Sequence, residues 1–142
     1  MEKRRLFRIL AKTDAITVAA LSSDLKEKYK ILIIEEPNKA LTMIKMREPV
    51  KNSLFYIGEV IITQAAVELE GTQGIAVTMG DDYEKTLDMA VIDAAYNHGV
   101  FFKEAQLLEL EKAQMEYEMK VNAMHLKTKV SFNSMDSGAD GQ

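Results

Sequence analysis

The strongest constraint on this chain is a change of period partway along it. From Ile61 to Leu69 the odd positions Ile61, Thr63, Ala65, Val67 and Leu69 alternate with Ile62, Gln64, Ala66 and Glu68. Successive side chains of an extended backbone point to opposite sides, so this period of two predicts a strand with one drier face. Glu70-Gly71 supplies turn chemistry, and Ile75, Val77 and Met79 alternate again, which predicts an antiparallel hairpin. At Gly80-Asp81-Asp82 the period becomes helical, with Leu87, Ala90, Val91, Ala94 and Ala95 on one stripe. Asp81 is placed to be the N-cap, and Glu84, three residues on, to reach back to it.

Around this stretch the remaining elements follow in order. Lys3 to Lys12 reads as a short helix with Leu6, Ile9 and Leu10 on one side and Arg5, Arg8 and Lys12 on the other. A second helix follows, capped by Thr13 or Asp14 and carrying Val18, Leu21 and Leu25. Tyr29 to Glu35 holds four successive apolar residues, Ile31 to Ile34, as expected of a central strand covered on both faces. Pro37-Asn38 is read as a turn, Leu41 to Arg47 as a returning strand, and Pro49 as its end. Beyond the capped helix, Gly99 fits a left-handed C-terminal position. Lys103 to Lys127 then forms a long helix whose seam is Leu107, Leu110, Gln114, Tyr117, Val121 and Met124. Val130 to Met135 reads as extended, and 136–142 as a small, polar, frayed tail. The expected architecture is α+β: an N-terminal helical pair, a four-stranded mainly antiparallel meander and two C-terminal helices, in one domain over 1–135.

Composition narrows the function classes. At 142 residues there is room for one cored domain. The absence of cysteine removes disulfides, thiolate metal sites and thiol nucleophiles. A net charge of -4 argues against nucleic acid as a partner. No apolar run is long enough to span a membrane and no signal peptide is evident, so a cytoplasmic protein is expected. Nine methionines suit either adaptable core filling or an apolar surface for another protein.

Few residues carry a chemical signal. Glu59 shares parity with Phe55, Ile57 and Ile61, which aims its carboxylate at an apolar face. An unpaired buried carboxylate is costly, so Glu59 is either a site or interface group or, through a bulge at Gly58, is returned to solvent. Asp93 interrupts an apolar helix and is the second candidate; its alternatives are a loop cap, a partner's arginine or a wet helix side. Gly80-Asp81-Asp82 reads as a cap, because two carboxylates would repel phosphate, and two ligands on one turn are thin grounds for magnesium. Arg4, Arg5, Arg8 and Lys12 suit a triphosphate, an acidic partner or simple solvation. His98 and His125 have no metal-ligand spacing, and no P-loop, dinucleotide fingerprint, serine elbow or zinc cluster occurs. The chain lacks a self-contained active site.

The block FYIGEVIITQAAVELEGTQGIAVTMGDD, followed by AVIDAA, resembles the G subunit of the bacterial carbon-phosphorus lyase system, the PhnG family; KRRLFRILAK and KTKVSFNSM extend the likeness. The resemblance implies a subunit of the carbon-phosphorus lyase core complex, assembled with subunits I, H and J for phosphonate use. It implies support, with the I subunit, for a transferase reaction in which a phosphonate displaces adenine from ATP, giving ribose 1-phosphonate 5-triphosphate. ATP is then a co-substrate of the complex, and this chain binds no cofactor of its own. The iron-sulfur radical chemistry belongs to the J subunit, and a chain without cysteine has no thiolates for such a cluster. On this reading the long helix and the following segment are docking elements, through Leu107, Leu110, Tyr117, Val121, Met124, Val130 and Phe132. Two alternatives stand beside it: a homo-oligomeric interaction protein pairing through the long helix, and a stand-alone nucleotide-binding enzyme using Glu59, Asp93 and the basic N-terminal face.

Overall fold

The computed structural model describes residues 1–47, 50 and 53–140, with side chains described for these apart from Met46, residues 55–57 and residues 127–140. Two compact units result, Met1–Glu104 and Ala105–Gln142. The first contains α1 (Lys3–Lys12), α2 (Ala15–Lys28), β1 (Ile31–Arg47), β2 (Leu54–Leu69), β3 (Thr72–Met79) and α3 (Tyr83–His98). The second is the helix α4, Glu104–Asp140.

Among the described residues the sheet has three strands in the order β1-β2-β3, all antiparallel, and not the four expected. The missing turn is the reason. Pro37 does not reverse the chain; β1 runs through it as one strand of 17 residues. Proline cannot donate to a ladder, but β1 is an edge strand, and its pairing slips on both sides of Glu35, from Ile33 to Asn38. Side chains bridge the lapse: Asn38 Nδ2 donates to Glu35 Oε1 (2.9 Å) and to the Glu36 carbonyl (2.8 Å), and Gln64 Nε2 donates to the same Glu35 oxygen (3.0 Å). The apolar run at its start is therefore not central, and Leu32, Ile33 and Ile34 are all exposed. The expected strand end at Pro49 lies outside the described residues.

β2 and β3 meet in a two-residue turn whose residues Glu70 and Gly71 both have positive φ (48° and 86°), the backbone hand that matches strand twist. The drier face of β2 is the expected one, with Thr63, Ala65, Val67 and Leu69 buried. On β3 the core-facing side chains are the small ones. Gly74 and Ala76 are buried, while Ile75, Val77 and Met79 point away from α3 and stay 51%, 52% and 77% exposed.

α3 lies between this sheet and the α1–α2 pair. It buries residues on all sides, from Thr86 to Ala95 with only Leu87 half-exposed, as a helix apolar all round must. Its cap is Asp82 rather than Asp81: Gly80 N–H still bonds the Ile61 carbonyl of β2 (2.9 Å), so the helix starts one residue later and Asp82 accepts from Lys85 N–H (3.1 Å). Gly99 ends it in the left-handed region (φ 78°), with Gly99 N–H on Tyr96 O and Val100 N–H on Ala95 O, a Schellman closure. α1 and α2 bury Leu6, Ile9, Leu10, Val18, Leu21 and Leu25, all expected.

β3 stops opposite Ile62, so Leu41–Arg47 of β1 and Leu54–Ile61 of β2 continue as a two-stranded ribbon, roughly 25 Å long. Leu41, Met43, Leu54 and Ile61 are exposed along it. α4 takes in residues 130–135, which are helical and not extended; no proline or glycine interrupts the segment between Lys127 and Asp136.

Candidate functional site

The chemistry-bearing residues concentrate on α3, because its buried stretch turns each charge it carries there into one that must be paired. Asp93 is 4% exposed. Its Oδ2 accepts from the Ile75 N–H (3.0 Å) and from Asn97 Nδ2 (3.5 Å), while the same Asn97 amide donates to the Gln73 carbonyl (3.0 Å). Lys3 Nζ lies 3.3 Å from Oδ1, an ion pair whose alignment falls short of a hydrogen bond. Asp93 and Asn97, one helical turn apart, thus occupy backbone groups along β3, the strand at the far edge from β1. Beside them Tyr96 donates its hydroxyl to the Met1 carbonyl, so one face of α3 holds both β3 and the N-terminal segment.

Sequence reasoning missed Asp88, which is as buried as Asp93 and pairs with Lys26 of α2. The signal was available: Asp88 interrupts the same apolar helix. Hydroxyls complete the register of helix on sheet. Thr86 Oγ1 donates to the Asp82 carbonyl (2.8 Å), which leaves it to accept from Thr78 Oγ1 (2.6 Å), and Thr63 Oγ1 donates to the Gly80 carbonyl (2.7 Å). At the other end Thr72 Oγ1 meets His98 Nδ1 (2.7 Å).

Glu59 is placed elsewhere. It sits on the projecting ribbon opposite Met43, on the face continuous with the core, but at a point α3 does not reach, and it is exposed. A register slip with one extra residue on β2 adjoins it, between Ile44/Gly58 and Lys45/Tyr56. Its expected apolar neighbours Phe55 and Ile57 lie outside the described side chains. Asp93 bonds Ile75, which pairs with Ala66, seven residues along β2 from Glu59, so the two carboxylates are offset by roughly 23 Å along the strand direction. They cannot act on one small substrate together.

The basic residues divide in the same way. Arg4, Arg5 and Arg8 border an open hollow with Met1 and Glu2, while Lys12 is two turns of α1 beyond Arg4, roughly 12 Å along the axis. Asp81, 75% exposed, faces Lys39 at 4.0 Å. A smaller groove between α2 and residues 100–103 is lined by Leu21, Leu25, Tyr29, Phe101 and Phe102. At its rim Lys103 Nζ binds Asp24 (2.7 Å), and that hydrogen bond, foremost, holds the Asp24 carboxyl below its ordinary value. Among the described residues no group of three or more His, Asp or Glu could hold a metal ion. On α4, the seam positions Leu107, Leu110, Tyr117, Val121 and Met124 all fall within the helix, with Tyr117 and Met124 exposed. Val130 and Phe132 belong to the same helix but their side chains lie outside those described.

A chain whose buried charges all serve packing offers little from which to read a reaction, and comparison with known families supplies what geometry does not. The profile of phosphonate metabolism protein PhnG matches residues 1–138. The chain belongs to the PhnG family. The match covers α1 through nearly all of α4, so PhnG membership applies to both units and not only to the hairpin and α3. Membership assigns the chain to phosphonate metabolism. No curated protein matches the sequence. The IDA residues of the PhnG-like block, Ile92-Asp93-Ala94, are those where α3 meets β3. No helix among the described residues is long and apolar enough to cross a membrane.

Proposed function

We propose that this chain is a non-autonomous subunit of a carbon-phosphorus lyase core complex, working with subunits I, H and J. In that complex a phosphonate oxygen bonds to the ribose C1 of ATP as the bond to adenine breaks, giving ribose 1-phosphonate 5-triphosphate and free adenine. The observation that carries this reading is the bare sheet. α3 covers one face, while the other presents Leu32, Ile75, Val77 and Met79 to solvent around Ala66; on the helix side, beyond the reach of α3, the ribbon leaves Leu41, Met43, Leu54 and Ile61 exposed. A monomer rarely leaves this much apolar surface uncovered on both sides of a sheet, and a subunit covers it on assembly. With Glu59 and Asp93 held apart, a stand-alone nucleotide enzyme built on the pair has no geometric support.

Co-expression with the I-like protein of the same genome tests the reading. The pair is expected to co-purify, and adenine release from ATP with methylphosphonate and the remaining components is expected to require this chain. Val77→Asp with Met79→Asp, on the solvent side of β3, is expected to abolish co-purification while the isolated chain keeps its helical signal. Full co-purification of that variant would show that the sheet face is not the docking surface. Adenine release undiminished without this chain would overturn the subunit role.

A further inference from the structure

We propose that α4 is a homotypic docking helix: two copies of this chain pair their α4 helices antiparallel, about a two-fold axis level with Met119. α4 is a compact unit in its own right, 37 residues or roughly 55 Å long; its seam exposes Tyr117 and Met124 and leaves Leu110, Gln114 and Val121 half-exposed, while Met115, Met119 and Leu126 are exposed on the opposite side. A long helix with this much apolar surface is stable in water only when something packs along it.

Its charge pattern says what. The first half carries Glu104, Glu109, Glu111, Glu116 and Glu118 against Lys112 alone. The second carries Lys120, Lys127 and Lys129 together with His125, and no carboxylate before Asp136. An antiparallel pair sets the acidic half of each helix beside the basic half of the other and opposes the helix dipoles favourably; a parallel pair stacks like on like. The seam agrees with the charges. With the axis level with Met119, Tyr117 layers with Val121 of the second copy and Gln114 with Met124, so each seam position from Gln114 to Met124 meets another seam position. The same sequence that is polar end to end is self-complementary when reversed.

Because the chain contains no cysteine, single introduced thiols report the arrangement directly. Tyr117→Cys mixed with Val121→Cys is expected to give disulfide-linked dimers under mild oxidation, faster than either variant alone. Light scattering of the unmodified chain is expected to give twice 16.0 kDa. Tyr117→Asp is expected to raise the dimer dissociation constant at least about tenfold, with the circular dichroism of the Met1–Glu104 unit retained. Fastest crosslinking by Tyr117→Cys alone would mean parallel pairing and would overturn the arrangement. A monomeric unmodified chain with no crosslink in the mixture would overturn the pairing itself and leave α4 to a different protein. Pairing of α4 stands apart from the phosphonate role, since failure of the adenine assay leaves the mass and crosslinking results intact.

Discussion

Asp93 shows how a residue conspicuous in sequence is explained by its neighbours. A carboxylate in the middle of an apolar helix reads as a site; in the structure it accepts from Ile75 N–H and faces Lys3. Asp93→Ala is expected to cost about 2–3 kcal/mol by leaving a backbone donor and an ammonium without their acceptor, measured by urea unfolding. A loss under about 0.5 kcal/mol would mean those bonds are dispensable. Gly74 was not legible at all, because its role depends on a helix arriving from elsewhere in the chain. A Cβ there would lie 2.3 Å from both the Ala90 carbonyl oxygen and the Ala94 nitrogen, so only glycine lets β3 touch α3. Gly74→Ala is expected to destabilise by about 3 kcal/mol or more, since backbone on both sides has to move. Glu59→Gln, on an exposed ribbon position, is expected to leave the unfolding free energy within about 0.5 kcal/mol of the parent chain.

Elements were legible where local chemistry decides them. The hairpin turn at Glu70-Gly71, the left-handed closure at Gly99 and the helical pair α1–α2 follow from residues within a few positions of each other. Pro37-Asn38 failed as a turn because an edge position tolerates proline, and edge or centre is a property of the sheet and not of the dipeptide. Val130 to Met135 failed for the converse reason: a short alternating run carries no helix breaker, and the preceding turns of α4 propagate through it. The α1–α2 pair gives a test by pH. Asp14 caps α2 by accepting from the Thr17 hydroxyl (2.7 Å) and N–H (3.0 Å), which, the hydroxyl foremost, hold its carboxyl below the ordinary 3.8. Asp24 is lowered by Lys103. Both groups bind fewer protons folded than unfolded, so their contribution is fully present above the unfolded value and lost as pH falls through the folded one. An Asp14→Asn, Asp24→Asn variant is therefore expected to lose less stability between about pH 5 and about pH 2.5 than the parent, in thermal unfolding followed at both ends.

The whole molecule is the scale at which sequence said least about geometry and most about class. An α+β chain was evident from the order of the elements, whereas the bare sheet face was hidden, because alternation reveals two faces without saying which one the helix takes. On β3 it took the glycine and alanine side. If that choice leaves Ile75, Val77 and Met79 for a partner, their replacement by Thr, Lys and Gln is expected to raise the solubility limit of the isolated chain and to abolish assembly together, read by light scattering and co-purification. The sheet's two flanks are also unequal. On β3 the Gln73 carbonyl and the Ile75 N–H are occupied by side chains of α3, whereas among the described residues no strand pairs with the outer margin of β1. A strand added beside β3 would have to displace those side-chain bonds at Gln73 and Ile75, so that part of the β3 flank resists extension of the sheet into a fibre.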